Sequence, residues 1–152
     1  MILNEMEKQH IQDLKAQEET CIEKYSRYKE QAKDPVLKEL FQTLQENEQK
    51  HYQSLEQVLT GKVPNCDCND SEGKEYMPKN TYEPMSSNED KRADAYLATD
   101  CIGTEKYVSS EYNNNVFVFA NTQIRKLLAD IQVEEQNHAE MLYKYKTVNG
   151  MA

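Results

Sequence analysis

The sequence predicts an all-α protein whose long helices pair into two antiparallel hairpins, and three observations lead to this fold class. Thirty per cent of the 152 residues are charged, and the chain has four Gly and four Pro, with long stretches free of both. Apolar residues recur at helical spacing in four such stretches. No segment has the alternating pattern of a strand bounded by turns. A chain of this length fits a single domain over residues 1–152.

The first hairpin follows from two helical patterns that a proline separates. Helix A is expected at about residues 4–33, with Ile11, Leu14 and Tyr25 on its apolar face. Asp34-Pro35 supplies an N-cap and a favoured first residue for helix B, expected at about residues 35–60. Because only a tight turn separates the two helices, they should pack antiparallel.

The second hairpin is expected to repeat this arrangement. Helix C should cover about residues 89–119, with Ser87 or Asn88 as its cap, and helix D about residues 122–148, capped by Asn121. Three consecutive asparagines at 113–115 are poor helix formers, so helix C is expected to fray or kink there.

Residues 61–88 form the predicted linker between the hairpins, since they hold three of the four prolines and two of the four glycines. An extended segment of this length reaches roughly 90 Å, which exceeds the span of a bundle about 40 Å long. We therefore expect one long crossover that runs back along the bundle, in preference to an up-down-up-down connection.

A repeat within the chain supplies the candidate site. A shift of 87 residues superposes Glu48-x-x-His51 on Glu135-x-x-His138 and Glu18 on Glu105. Residues three apart on a helix share a face, so each Glu-x-x-His can direct two ligands at one centre. One Glu-x-x-His in a Glu-rich helix usually marks a solvated face. Two copies that use two of the three histidines favour a site instead.

The depth of these residues in the bundle also agrees. Glu18 and Glu48 each lie about 15 residues from the first turn, and Glu105 and Glu135 lie equally far from the second, which is roughly 22 Å of helix. Four buried carboxylates would repel one another without cations. We therefore predict a dinuclear metal site, which would also be the catalytic site, with six ligands: Glu18, Glu48, His51, Glu105, Glu135 and His138. Carboxylate and imidazole without thiolate suit iron or manganese, and two Fe ions are our expectation.

Composition also restricts the partners. A formal net charge of −9 argues against nucleic acid and anionic membranes. The N-terminal residues lack a signal-peptide pattern and no run is long enough to span a membrane, so we expect a cytoplasmic protein with reduced cysteines. Cys66-Asp-Cys68 is a weak metal or cross-linking motif that we interpret as part of a flexible loop, and His10 as a surface residue. A homodimer is a reasonable expectation.

The six predicted ligands resemble those of the ferritin-like di-iron carboxylate superfamily, in which two helices each give one Glu and two others each give Glu-x-x-His. The first hairpin, "EETCIEKYSRYKEQAKDPVLKELFQTLQENEQKH", is similar to the di-iron domain of rubrerythrins. That resemblance implies a ferritin-like four-helix bundle that binds two Fe ions and reduces H₂O₂ or O₂, with Tyr25 and Tyr112 beside the metals. An ordinary core tyrosine is an equally acceptable interpretation of both residues.

This chain departs from rubrerythrins in two respects. It has Val108 where they add a Glu one turn after the helix C ligand, and it lacks their rubredoxin-like Cys-x-x-Cys pairs, so the electron donor is unknown. The six-ligand set is closer to the symmetric arrangement of bacterioferritin, although Gln49 replaces the haem-ligating Met. Cys21 and Cys101, each one turn from a predicted ligand, are candidates for a redox pair near the metals or for small core residues.

The second hairpin, from Asp100 to Met151, is similar to the coat F family of spore-forming bacteria, on the phrase Glu-Lys-x-x-x-Ser and the ending Asn-Gly-Met. This resemblance implies a spore-coat location and spore-coat proteins as partners. It leaves two alternatives to a probable peroxide- or O₂-reducing enzyme: a structural coat protein whose metals stabilise the fold, and a ferroxidase or iron-binding protein.

Overall fold

The computed structural model describes residues 2–65 and 71–152, which fold into four long α-helices with short helical turns between them. The helices are α1 (Glu5–Gln31), α2 (Pro35–Leu59), α3 (Glu72–Glu75), α4 (Glu89–Asn115) and α5 (Thr122–Val148), and a 3₁₀ turn covers Val116–Val118. These described residues contain no strand, so the predicted all-α class is confirmed. Within the same residues, no helix combines the length and apolar character needed to cross a membrane.

Side-chain caps set where the long helices begin. Asn4 and Glu7 form a reciprocal capping box at the start of α1. Asp34 accepts a hydrogen bond from the amide of Val36 at the start of α2, where Pro35 occupies the first turn. Asn88 and Asn121 cap α4 and α5 in the same way, which satisfies amide groups that would otherwise lack a partner.

The structure differs from the sequence prediction in three places. Helix α4 ends at Asn115, four residues before the predicted 119, because the three asparagines favour a transition to the 3₁₀ turn. The predicted linker contains the short helix α3. His10 is half-buried rather than on the surface, and its Nδ1 lies 2.7 Å from Oδ1 of Asn115.

Contacts between the hairpins show that neighbouring helices are antiparallel. Near the start of α1, His10 meets the end of α4. Further along, Lys24 lies 2.7 Å from Asp100, and the backbone amide of Lys33 donates to Asp94 near the start of α4. Because α1 is antiparallel to both α2 and α4, the last two run in the same direction. The connection between them must therefore return along the bundle.

The crossover makes contacts at both ends of the bundle. Val63 packs against the hydrophobic cluster that includes Phe119, beside the second turn. In the middle, the amide of Gly73 donates to Asn137 on α5 at 3.3 Å. At the other end, the amides of Thr81 and Tyr82 donate to Asn149. The described part of the crossover therefore contacts the bundle from the second turn to the end of α5.

The buried apolar residues form two clusters. One cluster includes Ile11, Leu14, Leu55 and Val108, and the other includes Phe41, Leu97, Leu142 and Tyr145. Along α2, α4 and α5, the residues that change from one cluster to the other flank a buried glutamate, and along α1 the buried Glu18 lies two turns before the change at Tyr25. A polar layer therefore separates the two apolar halves of the core.

Candidate metal centre

All six predicted ligands lie in this polar layer. Glu18 comes from α1, Glu48 and His51 from α2, Glu105 from α4, and Glu135 and His138 from α5. None of their side chains is more than 3 % exposed. The helical repeat therefore brings four carboxylates and two imidazoles together out of contact with bulk water.

The six side chains form two overlapping groups of four. Glu18 and His51 belong to one group and Glu105 and His138 to the other, while Glu48 and Glu135 belong to both. Within a group, one ligand atom from each residue lies within 4.8 Å of the others. Two cations with shared carboxylates would fit this arrangement.

The imidazoles face the carboxylates through Nδ1. Nδ1 of His51 lies 2.8 Å from Oε1 of Glu135, and Nδ1 of His138 lies 2.7 Å from Oε1 of Glu48. Neither contact has the geometry of a hydrogen bond, because the facing atoms are close without being aligned. Ligand atoms that point at a common centre are likewise close together without being aligned for hydrogen bonding with one another.

Unpaired polar atoms in the described interior are concentrated in this layer. Among all the described residues, ten buried side-chain oxygen or nitrogen atoms lack a hydrogen-bond partner, and eight of the ten belong to the six predicted ligands. Buried polar atoms normally have a partner, since leaving one without costs about 1–3 kcal/mol. Eight such atoms that face one another form a group that could hold cations.

Electrostatics in the layer indicate the same need for positive charge. Burial, followed by repulsion from Glu48, raises the pKa of Glu18 well above its usual range, and burial with neighbouring carboxylates does so for Glu135. Burial also raises the pKa of Glu48, but the adjacent Glu18, His138 and His51 side chains outweigh it and bring this pKa well below the usual value. The carboxylates therefore compete for a small number of protons.

The pKa values of both histidines are raised in this layer, so their imidazoles favour the protonated form. Burial lowers the pKa of His138, but the carboxylates of Glu105 and Glu48 outweigh it and raise the pKa to about 10. Burial likewise lowers the pKa of His51, and contacts with Glu134 and Glu135 raise it well above its usual value. Divalent cations can supply the same compensation.

Tyr25 and Tyr112 make reciprocal contacts between the hairpins. The hydroxyl of Tyr25 on α1 donates to Oε1 of Glu105, and the hydroxyl of Tyr112 on α4 donates to Oε1 of Glu18. Burial, followed by the charge of the neighbouring carboxylate, raises the pKa of both phenols. Each tyrosine therefore stays protonated and orients a carboxylate of the opposite hairpin.

Cys21 and Cys101 are both buried in the core. Both are free thiols, and they belong to different hydrophobic clusters. Burial raises the pKa of each thiol, so both remain protonated and poorly nucleophilic. Cys66 and Cys68 lie outside the described residues.

The outer contacts of the two histidines are absent from the sequence prediction. Nε2 of His51 contacts Oε2 of Glu134, and Nε2 of His138 lies 3.4 Å from Nδ2 of Asn47. The signal was present in the repeat, because Asn47 and Glu134 superpose under the same 87-residue shift as the ligands. Glu72, which accepts from Asn47 at 3.1 Å, has no counterpart in the repeat and only the fold reveals it.

Comparison with known proteins finds one similarity. A family model of the Coat F domain matches residues 93–152, which include most of α4, all of α5 and the C-terminal residues. This supports the resemblance expected from the second hairpin. No curated protein and no solved structure matches the chain. The matched region contains Glu105, Glu135 and His138, so the other three ligands lie outside it, and fewer than half of the residues are covered.

Proposed function

We propose that this protein binds two divalent cations between its hairpins and that these cations stabilise a component of the spore coat. The observation that carries the proposal is the set of eight unpaired atoms contributed by six buried side chains. Glu18 and His51 would hold one cation, and Glu105 and His138 the other. Glu48 and Glu135 would be shared between them.

Metal binding would join the two hairpins, because the ligands come from both of them. Each group of four includes residues of α2 and α5, which belong to different hairpins. Binding a cation to the folded protein stabilises it by about 2.7 kcal/mol when the free cation is at 100 times its dissociation constant. The gain arises in the middle of the bundle, where the separated carboxylates otherwise repel one another.

The long crossover supports a ferritin-like assignment of the bundle. Helices α2 and α4 are parallel and a long connection joins them, which is the arrangement of ferritin-like folds. The set of two single glutamates and two Glu-x-x-His pairs belongs to the same class of site. Iron and manganese both suit carboxylate and imidazole ligands, and we propose iron.

The Coat F match supports the location in the spore coat, and we propose coat proteins as partners. A helical unit whose halves are joined by buried cations would resist unfolding in a way that suits a protective layer. Metals in this role need no substrate, so the site can remain enclosed.

A second candidate function is the reduction of H₂O₂ or O₂, and the two buried tyrosines favour it. Their hydroxyl groups donate to Glu105 and Glu18, beside the proposed cations. A bound pair of Fe(II) ions would supply the two electrons that reduce H₂O₂ to water. The surrounding clusters exclude bulk water, and the phenols hold protons at carboxylate oxygens. A ferroxidase would use the same residues.

Metal analysis of the purified full chain, followed by reconstitution, tests the proposal. We expect about two cations per chain, and substantially less metal in Glu18→Ala and Glu105→Ala. Glu46→Ala, an exposed residue of α2, is the matched control and should retain the metal. Unchanged metal content in both ligand variants would overturn the assignment.

Anaerobic loading with Fe(II) and a peroxide challenge separate the two functions. Rapid oxidation of two Fe(II) ions per chain would favour the enzyme. A tightly held metal that raises the unfolding temperature and does not react with peroxide would favour the structural role.

A further inference from the structure

The outer nitrogen atoms of the two ligand histidines meet different chemical groups. Nε2 of His51 contacts the carboxylate of Glu134, whereas Nε2 of His138 lies 3.4 Å from the amide of Asn47. Glu134 and Asn47 hold equivalent positions in the repeat, each directly before the ligand glutamate of its helix. The inner ligands of the two halves are identical, so the difference lies in the outer contacts.

The carboxylate at His51 suits metal binding. Nδ1 of His51 faces the other ligands, and a neutral imidazole that gives this nitrogen to a cation keeps its hydrogen on Nε2. Nε2 then donates to Glu134, which fixes the ring and increases its strength as a ligand. No rearrangement is required at this position.

The amide at His138 presents a conflict in either of its orientations. With Nδ2 towards the ring, Asn47 donates to Glu72 at 3.1 Å, and it can also donate to His138 only if Nε2 carries no hydrogen. The hydrogen would then occupy Nδ1, the atom needed for a cation. With Oδ1 towards the ring, the amide accepts from His138 but meets the Glu72 carboxylate, which can no longer receive a hydrogen bond.

We propose that the two cation positions are unequal and fill in order, first at His51 and then at His138. This inference rests on the proposed two-cation site. Glu134 is a positioning residue that strengthens the first position. Glu72 weakens the second position, because Asn47 must release it before His138 can bind a cation through Nδ1.

The second step is consequently coupled to the crossover. Glu72 begins α3, and Lys144 on α5 donates to the carbonyl oxygen of Gly73 at 2.6 Å, which holds this short helix against the bundle. A cation at His138 therefore removes one of the contacts by which α3 is attached. The crossover would respond to the second cation and remain unaffected by the first.

The test adds Co²⁺ to the metal-free full chain and resolves two binding steps by calorimetry and by Co²⁺ absorption. Glu134→Gln should weaken the first step by about 10- to 100-fold, the range for lost outer contacts of histidine ligands. Glu72→Gln should strengthen the second step by up to about tenfold, since a glutamine amide can donate to the rotated Asn47. Glu46→Gln carries the same charge change on an exposed residue of α2 and should alter neither step.

Opposite effects of one chemical change at two positions support ordered filling. If the wild-type chain takes up two Co²⁺ ions but both variants shift the same step, or shift neither, the inequality is refuted while the two-cation site stands. If the wild-type chain takes up no Co²⁺, the proposed function itself fails. Hydrogen exchange at residues 72–76 supplies a second readout, and faster exchange is expected only after the second equivalent.

Discussion

Two of the buried polar clusters among the described residues differ in whether their hydrogen bonds are complete. The first is the ligand cluster, defined by the six side chains in the middle of the bundle. The second, which we call the latch, consists of Asp34, Lys91, Asp94 and Asn149 at the end where the crossover meets the first turn. Both are almost entirely shielded from solvent, so burial alone does not distinguish them.

Every charged group of the latch has partners. Asp94 accepts hydrogen bonds from the amides of Lys33 and Asp34, each at 2.9 Å, and from the hydroxyl of Tyr82. Lys91 donates to three carbonyl oxygens of the crossover, at 2.6–3.1 Å. Asn149 accepts from two crossover amides and donates to the carbonyl oxygen of Tyr145.

The glycine after Asn149 completes the latch. Gly150 has φ +68°, and a Cβ atom there would lie 2.1 Å from the carbonyl oxygen of Pro84. Glycine is required both for this backbone conformation and for the close approach of the crossover. The Asn-Gly pair near the C-terminus therefore has a structural role.

The latch consists of buried polar groups whose hydrogen bonds are complete, whereas the ligand cluster contains buried polar atoms that lack a partner. A saturated network stabilises the bundle by itself, whereas unpaired buried carboxylates and imidazoles oppose folding unless bound cations compensate their charge. Changes in the latch should therefore act equally with and without metal, and changes in the ligand cluster should depend on it.

Asp94→Ala should have the largest effect on stability. It leaves the buried amide of Asp34, the amide of Lys33 and the half-buried hydroxyl of Tyr82 without this acceptor, and we expect a loss of about 3–5 kcal/mol in the free energy of unfolding. Denaturant unfolding should give the same loss in chelator and in excess Co²⁺. If Co²⁺ reduced this loss by half, the contribution of Asp94 to stability would depend on metal binding. That result would contradict the proposed independence of the latch from the ligand cluster.

Glu135→Gln should act mainly through the metal. Burial, with repulsion from neighbouring carboxylates, raises the pKa of Glu135, so the metal-free protein already favours a neutral side chain there and glutamine resembles it. We expect little change in chelator. With cation at 100 times its dissociation constant, the variant should lack about 2.7 kcal/mol of stabilisation for each site that it disables. The difference between the two unfolding curves, with and without Co²⁺, is the measurement.

The two clusters also differ in how well the sequence predicts them. The ligand cluster is encoded by periodicity: helical spacing, the Glu-x-x-His pairs and the 87-residue shift determine depth and face before any contact is known. The latch has no such pattern. Asp94 and Lys91 occur on a helix whose sequence does not distinguish them from surface residues, and their burial depends on where the crossover returns.

The outer contacts of the ligand cluster fall between these cases. The positions of Asn47 and Glu134 could be predicted from the 87-residue repeat. Glu72 could not, since it contacts Asn47 only because α3 lies against the bundle. A long connection contributes few local constraints, so contacts made by the crossover could not be predicted from propensity.

The stability of the metal-free protein should fall as the pH rises, and bound metal should remove this dependence. The pKa of His138 rises from its usual 6.5 to about 10 in the folded chain. Between those values the folded protein holds a proton that the unfolded chain releases, so stability present below pH 6.5 is lost as the pH rises. In the proposed function, a bound cation would displace that proton, so cations should bind more tightly at higher pH.

Thermal unfolding in chelator and in Co²⁺, at pH 6.5 and 8.5, measures this effect. The unfolding temperature should fall with pH in chelator, and this decline should disappear in Co²⁺. His138→Gln removes one of the two histidines whose pKa is raised and should reduce the decline in chelator. A metal-free protein that becomes more stable between these pH values would show that its histidines are not held protonated.

A matched pair of tyrosine substitutions gives the smallest and most specific test. Tyr145 donates to Asp34 of the latch at 2.6 Å, and Tyr112 donates to Glu18 of the ligand cluster. Tyr145→Phe removes one hydrogen bond to a carboxylate and should cost about 1 kcal/mol in chelator and in Co²⁺ alike. Tyr112→Phe should cost about as much in chelator but less in Co²⁺, because a bound cation then neutralises the carboxylate that the phenol otherwise stabilises. Tyr25→Phe, its counterpart in the repeat, should follow Tyr112→Phe, and equal metal dependence at Tyr145 would remove the distinction between the two clusters.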